Sequence, residues 1–252
     1  AILTVDAAYA REILTYVFTR QARNFGVHSR FIDGTMLEPG FELDELCAPV
    51  IALDRYVEKT GDTAFAARPF VRDGLEEILR RMEAKKHPSV PMYETFLQPT
   101  DDMHNHIYLT YDNALVCYAL RTLAKLLNRP ELAEEAERTR RAVYKHCVKE
   151  QNGRPFFAWS VDLNGHFDIY DEPPGSLLLL PFYGFCEESD PIWQNTAAMI
   201  RDESYPLSFA GHPIAEIGCK HAPHPWILSI CNSLLSGHAD SALLHPSRTP
   251  LD

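Results

Sequence analysis

The chain has 252 residues, 46% of them hydrophobic, and a formal net charge of −11 from 35 acids against 24 Lys and Arg. That length holds one large domain or two small ones with a real core. The acidic balance excludes a phosphate-backbone partner, which needs a basic stripe, and suits a neutral substrate; no apolar run approaches the roughly 18–20 residues that cross a bilayer.

The N-terminal stretch AILTVDAAYAREILTY carries an acid at Asp6 and an amphipathic pattern, unlike a basic-then-apolar signal peptide. It starts at Ala1 without an initiator Met, which reads as a processed chain or a piece of a longer one. Val5, Ala8, Ile13 and Val17 predict a helix over VDAAYAREILTYVFTRQARN. Gly26, Gly34, Pro39 and Gly40 then punctuate the chain. ELDELCAPVIALDRYVEKTGD predicts a second helix, with Pro49 near its first turn or kinking it and Gly61 at its end.

TAFAARPFVRDGLEEILRRMEAKK reads as a third helix, charged on one face. A loop follows, then the helices NALVCYALRTLAKLL and PELAEEAERTRRAVYKHCVKE, the latter starting at Pro130. GRPFFAWSVDLNGHFDIYDEPPG alternates aromatics with turn residues and predicts a hairpin or a long functional loop. GSLLLLPFYGF, DPIWQNTAAMIRD and HPWILSICNSLLSG read as short helices. Cys47, Cys117, Cys147, Cys186, Cys219 and Cys231 form no CxxC pair, so the thiols are expected to be reduced and the protein cytoplasmic.

A weak repeat runs through these helices. APVIALDRYVEKTGDTAFAAR and ALVCYALRTLAKLLNRPELAEEA share an Ala-Leu pair (Ala52-Leu53, Ala119-Leu120), a turn and a second helix. A spacing above 60 residues is longer than common solenoid repeats and suits α-hairpins set in a ring, although two amphipathic helices can also resemble each other by chance.

Loops at one mouth of such a ring would gather Asp44-Glu45, Asp101-Asp102, Asp112 and Asp171-Glu172 with Phe41, Tyr93, Tyr108, Tyr111, Tyr170 and Trp226. Carboxylates that bind hydroxyls beside aromatic faces are what a sugar site needs, and glycosidic cleavage needs one protonated carboxyl and one carboxylate opposite. Adjacent acids would raise one pKa and help the donor. From spacing alone, a helix cap is the simpler reading of Thr100-Asp101-Asp102. His104-Asn105-His106 and His221-Ala222-Pro223-His224 lack a helical i, i+4 pair and a Cys at finger-like spacing, so no metal site is expected. There is no GxSxG and no glycine-rich phosphate loop.

FLQPTDD followed by YLTYDNALVCYAL resembles a segment of glycoside hydrolase family 125 that reads roughly F-R-P-S-D-D, then Y…P-S-N, then an apolar helix. FELDELCAPVIALDRYVEKTGD, YDEPPGSLLLLPFYGF, DPIWQNTAAMI and IGCKHAPHPWILSICNSLLSG are similar to further family segments in the same order, over about residues 41–237. The resemblance implies an all-α (α/α)6 barrel and a cofactor-free, exo-acting, inverting α-mannosidase on an oligosaccharide or glycan. It places the general acid at Asp102, with Asp101 the alternative, and sugar contacts at Asp44, Asn113, Asp171 and His221; Glu45, Gln98, Asp112, Glu172 and His224 stand beside them.

The departures fall around the same pocket. Gln98 replaces the family's Arg, Tyr111-Asp112 its Pro-Ser, and Cys219-Lys220-His221-Ala222 its S-P-H-T. The family's tryptophan-rich opening has no counterpart before Val5, and its base, a Glu beyond the segment matching LLSG, has none in HADSALLHPSRTPLD. The expectation is therefore one toroidal catalytic domain over 1–252, incomplete at both ends and prone to self-association. A sugar-binding toroid lacking the base is one alternative. A sugar isomerase or epimerase with His221 or His224 as proton carrier is another.

Overall fold

The computed structural model describes residues 2–237. The first predicted helix is divided. Asp6 accepts from Tyr9 N at 2.8 Å and caps a new start, giving α1 (Ile2–Val5) and α2 (Ala7–Tyr16). A π-helical turn (Val17–Gln21) and a 3₁₀ turn (Ala22–Asn24) then lead to Gly26, which is left-handed at φ 74°. The punctuated stretch folds as an antiparallel pair, β1 (Val27–Arg30) and β2 (Met36–Phe41).

The second predicted helix is α3 (Leu43–Thr60), with Pro49 inside it and left-handed Gly61 closing it. The third breaks in two, because Arg68 precedes Pro69 and is extended. The pieces are α4 (Thr63–Ala66) and α5 (Pro69–Glu83). A long connection and a short strand, β3 (Tyr108–Leu109), precede α6 (Thr110–Leu126) and α7 (Glu131–Cys147). The two parts of the weak repeat thus become α3 with α4–α5, and α6 with α7; α3 packs on α5 and α6, and α6 on α7.

Burial follows the apolar pattern. On α5, Val71, Gly74, Leu75, Ile78, Leu79 and Met82 form one buried stripe. By contrast α6 is buried nearly all round, from Thr110 through Leu123, which makes it the central helix of the described residues. Its start and that of α3 are tied to one passing segment: Leu43 N donates to Thr95 Oγ1, Tyr93 N donates to Asn113 Oδ1, and Phe96 N and Leu97 N donate to Phe41 O. Residues 93–97 are therefore fixed before the chain reaches Asp101 and Asp102.

The all-α expectation is corrected by three small sheets. Besides β1–β2 there are β4 (Val148–Gln151) paired with β5 (Arg154–Phe157), and β3 with β6 (Ser160–Val161) and β7 (Phe167–Asp168). β1–β2, β4–β5 and β6–β7 are hairpins, where alternating aromatics and turns favour pairing, and β3 joins the last of them from the start of α6. GSLLLLPFYGF is not an α-helix either: two 3₁₀ turns (Pro173–Gly175 and Leu177–Leu179) are followed by Pro181 and left-handed Gly184. Helices α8 (Pro191–Ile200) and α9 (Ile227–Leu235) complete the described chain. No helix among the described residues is long and apolar enough to cross a membrane. The six cysteines are free thiols.

Candidate functional site

The Asp101-Asp102 pair caps no helix; the residue before α6 is Leu109. The pair closes a tight loop in which Asp101 N donates to Gln98 O at 2.8 Å and Gln98 N donates to Asp102 O at 3.0 Å. Asp101 is left-handed at φ 65°, a conformation Asp tolerates better than most residues. The twist separates the two carboxylates. Asp102 Oδ2 lies 3.3 Å from His221 Nδ1, whereas Asp101 Oδ1 lies 3.1 Å from His28 Nδ1. The expectation that both acids face one pocket gives way to a division of direction.

Asp102 lines a cavity of about 870 Å³. Its walls come from the 98–105 loop, the β6–β7 hairpin with Trp159 and Tyr170, the turn at 205–207, and Lys220-His221. Tyr170 stacks edge-on against Trp159, and Lys220 Nζ sits 5.0 Å from the Tyr170 ring centre. Trp159 is almost fully buried, and its Nε1 has no hydrogen-bond partner. Asp168, on the same wall, accepts from Asn105 Nδ2 at 2.9 Å and Ser160 Oγ at 2.7 Å.

Glu172 supports the acid loop from behind. It is fully buried and accepts from Gln98 Nε2 at 3.0 Å, Thr100 Oγ1 at 2.9 Å and Tyr170 OH at 2.9 Å. Burial pushes its carboxyl up to about 7 against these hydrogen bonds, and the nearby Asp102 charge adds to the rise. Gln98 reaches both Glu172 and the cavity wall.

The other sequence candidates divide into three groups. Asn113 and Asp171 are structural: Asn113 bonds Tyr93 N, Tyr93 O and Leu109 O, and Asp171 accepts from Ser176 Oγ and Leu177 N, both at 2.7 Å. Neither lines the large cavity. Glu45 pairs with Arg30 at 2.9 Å, and His224 stands on an exposed turn off the cavity wall.

Asp44 and Asp112 lie in the first turns of α3 and α6, Asp112 fully buried and Asp44 part-buried, and their charges interact. Asp44 lines a smaller pocket of about 250 Å³ with Tyr111 and Tyr183. Burial, reinforced by the Glu45 charge, pushes Asp44 up to about 7; burial with the Asp44 and Glu42 charges pushes Asp112 well above the usual carboxylate range. Both Asp112 oxygens and Asp44 Oδ1 are buried without a hydrogen-bond partner; Thr95 Oγ1 donates to Leu97 O instead.

Trp159, Asp168 and Tyr205 are wall residues that motif reading did not single out, and Lys220 lines the cavity as its place among the family departures implied. The alternation in FAWSVDLNGHFDIY carried a signal for the first two, since Trp159 N donates to Asp168 O across the predicted hairpin. For a metal, the described residues whose donor atoms gather at ligand spacing are His28, Glu42 and Asp101, not the His104-Asn105-His106 or His221–His224 stretches.

Residues 84–245 match the family model described as metal-independent alpha-mannosidase (GH125). The meiotically up-regulated gene 157 protein of Schizosaccharomyces pombe is 27% identical over an alignment of 159 residues that covers 58% of this chain and 31% of that protein. The chain therefore spans about a third of the curated relative it matches. A Streptococcus pneumoniae metal-independent alpha-mannosidase, solved in a non-productive substrate complex with alpha-1,6-mannobiose, superposes with a TM-score of 0.76 at 18% identity. That superposition covers 94% of this chain and 68% of the other. A GH78 rhamnosidase of Bacillus sp. GL1 gives 0.56 at 15% identity, covering 77% of this chain and 20% of that one. These likenesses show a shared fold, that of an (α/α)6 barrel. The family match covers more than half of the sequence, and the chain belongs to the metal-independent alpha-mannosidase family, GH125.

Proposed function

We propose that this chain is catalytic machinery of an exo-acting glycoside hydrolase that removes a terminal α-linked mannose, with Asp102 as the general acid. The observation that carries the reading is the position of Asp102: a part-exposed carboxylate on the wall of a cavity large enough for a sugar ring, beside an aromatic wall. Proton donation from Asp102 to the glycosidic oxygen would release the leaving group as the oxocarbenium-like transition state forms. Tyr170, backed edge-on by the buried Trp159, offers an aromatic surface for pyranose C–H groups, while Asp168, Lys220 and His221 offer partners for hydroxyls.

An inverting reaction places a second carboxylate roughly 6.5–9.5 Å from the acid, with a water between. The stretch in which the resemblance looks for that base, 238–252, lies outside the described residues. The reading therefore rests on the acid side of the site.

The test is turnover of an aryl α-mannoside and of α-1,6-mannobiose by the purified protein, with the product anomer followed by proton NMR. Release of β-mannose at first appearance supports inverting hydrolysis. Sugar binding without turnover would instead support the binding toroid. Interconversion of free hexoses would support the isomerase, although of its two proposed proton carriers only His221 lines the cavity.

A further inference from the structure

We propose that His28, Glu42 and Asp101 form a binding site for a divalent first-row cation, Zn²⁺ by donor set, that clamps the β1–β2 hairpin to the acid loop. His28 Nδ1 lies 3.4 Å from Glu42 Oε1 and 3.1 Å from Asp101 Oδ1, and all three donor atoms fall within 4.8 Å of one another. A tetrahedral ion with bonds of about 2.0–2.1 Å separates its ligands by roughly 3.3 Å, so the spacing fits with little rearrangement.

A second observation points to a ligand. The Glu42 side chain is 3% exposed, and its Oε1, directed at His28, is buried without a hydrogen-bond partner. His28 Nδ1 is likewise buried without one. Buried polar atoms left unpaired are costly, and an ion between them would satisfy both.

The surroundings match a metal-ligating histidine. Glu38 Oε2 lies 3.4 Å from His28 Nε2, on the far side of the ring, where a carboxylate fixes the tautomer that leaves Nδ1 free to ligate. One imidazole nitrogen with two carboxylate oxygens suits Zn²⁺ and leaves a fourth position for water.

The three ligands come from different places: β1, the residue before α3, and the loop whose next residue is Asp102. Backbone bonds from Phe96 N and Leu97 N to Phe41 O already bring these segments together. The ion would therefore act on the position of the acid loop and not on the substrate, which is compatible with a family whose chemistry is independent of metal. His28 and Glu42 lie before residue 84, where the family match begins.

The test is titration of the chelator-treated protein with ZnCl₂ by calorimetry and with CoCl₂ by visible absorption. His28→Gln, Glu42→Gln and Asp101→Asn are titrated beside the wild type, each checked for folding by circular dichroism. The expected result is one saturable equivalent that raises the melting temperature of the wild type. Each ligand variant should lose that equivalent, and any weaker binding at the other histidines should stay. Glu38→Gln, at an exposed position that cannot unfold the core, should weaken the affinity about 10–100-fold. No saturable binding by the wild type would overturn the proposal, as would equal binding by wild type, Asp101→Asn and Glu38→Gln.

Discussion

Asp102 Oδ2 and His221 Nδ1 meet at 3.3 Å across the mouth of the large cavity, joining the 98–102 loop to the 219–224 turn. Both side chains are about half exposed, 41% and 52%. A pair of this kind sets geometry more than stability, because water screens it.

Asp102→Asn is expected to lower kcat on α-1,6-mannobiose by about 10²–10⁴-fold, the usual contribution of a general acid. The melting temperature should stay within a few degrees, since the side chain is part-exposed and makes no buried hydrogen bond. An aryl mannoside with a strongly acidic phenol needs little protonation to leave, so its rate should fall much less. Equal losses on both substrates would argue for a binding role.

His221→Ala should change stability by no more than about 0.5 kcal/mol, as expected for an exposed pair. Its effect should fall on KM, because the ring lines the cavity. Denaturant melts and steady-state kinetics on the same preparation separate the two effects.

Glu172→Gln tests the buried carboxyl. Its folded-state pKa is raised from 4.5 to about 7, so the folded chain holds a proton that the unfolded chain has released. Stability from this group is fully present below pH about 4.5 and is lost as pH rises through about 7, by roughly 3 kcal/mol in all. The titratable groups facing it are Asp102, Asp112, Asp171, Tyr170, Tyr205 and Cys219. Urea melts between pH 5 and 8 should show a shallower decline in the variant; an unchanged slope would refute the assignment.

Gly175→Ala probes the support of the acid loop through packing. A Cβ at Gly175 would stand 2.6 Å from Pro99 Cγ and 3.3 Å from Trp159 Cη2. Relief requires Pro99 to move, and Asp102 is three residues on. We expect a fall in kcat of about tenfold or more, with a stability loss of about 1–3 kcal/mol. Thermal melts with single-turnover rates check both.

Helix content was legible because α3, α5 and α7 each bury an apolar stripe of near-3.6 period. Their ends were legible where a residue type dictates the backbone, as at Gly61 and Pro130, whereas the break before Pro69 was read through. GSLLLLPFYGF misled for the converse reason: a continuous apolar run has no period, and its buried leucines fit 3₁₀ turns as well as a helix. The acids of the site were visible as residues, but their roles were not. Asn113 and Asp171 look like ligands in sequence, yet neighbouring backbone groups occupy their side chains.

The sequence by itself determined the helical pattern, the family segments in their order, and the presence of Asp102 in a loop beside aromatics. It did so because periodicity and motif spacing are local properties of the chain. Tertiary structure alone decided which way each acid faces. A left-handed φ at Asp101 turns one carboxylate to His28 and leaves its neighbour to the cavity, and the partners involved lie more than seventy residues away on one side and more than a hundred on the other. Contacts at such separations are set by packing of the whole core, so no window of the sequence contains them.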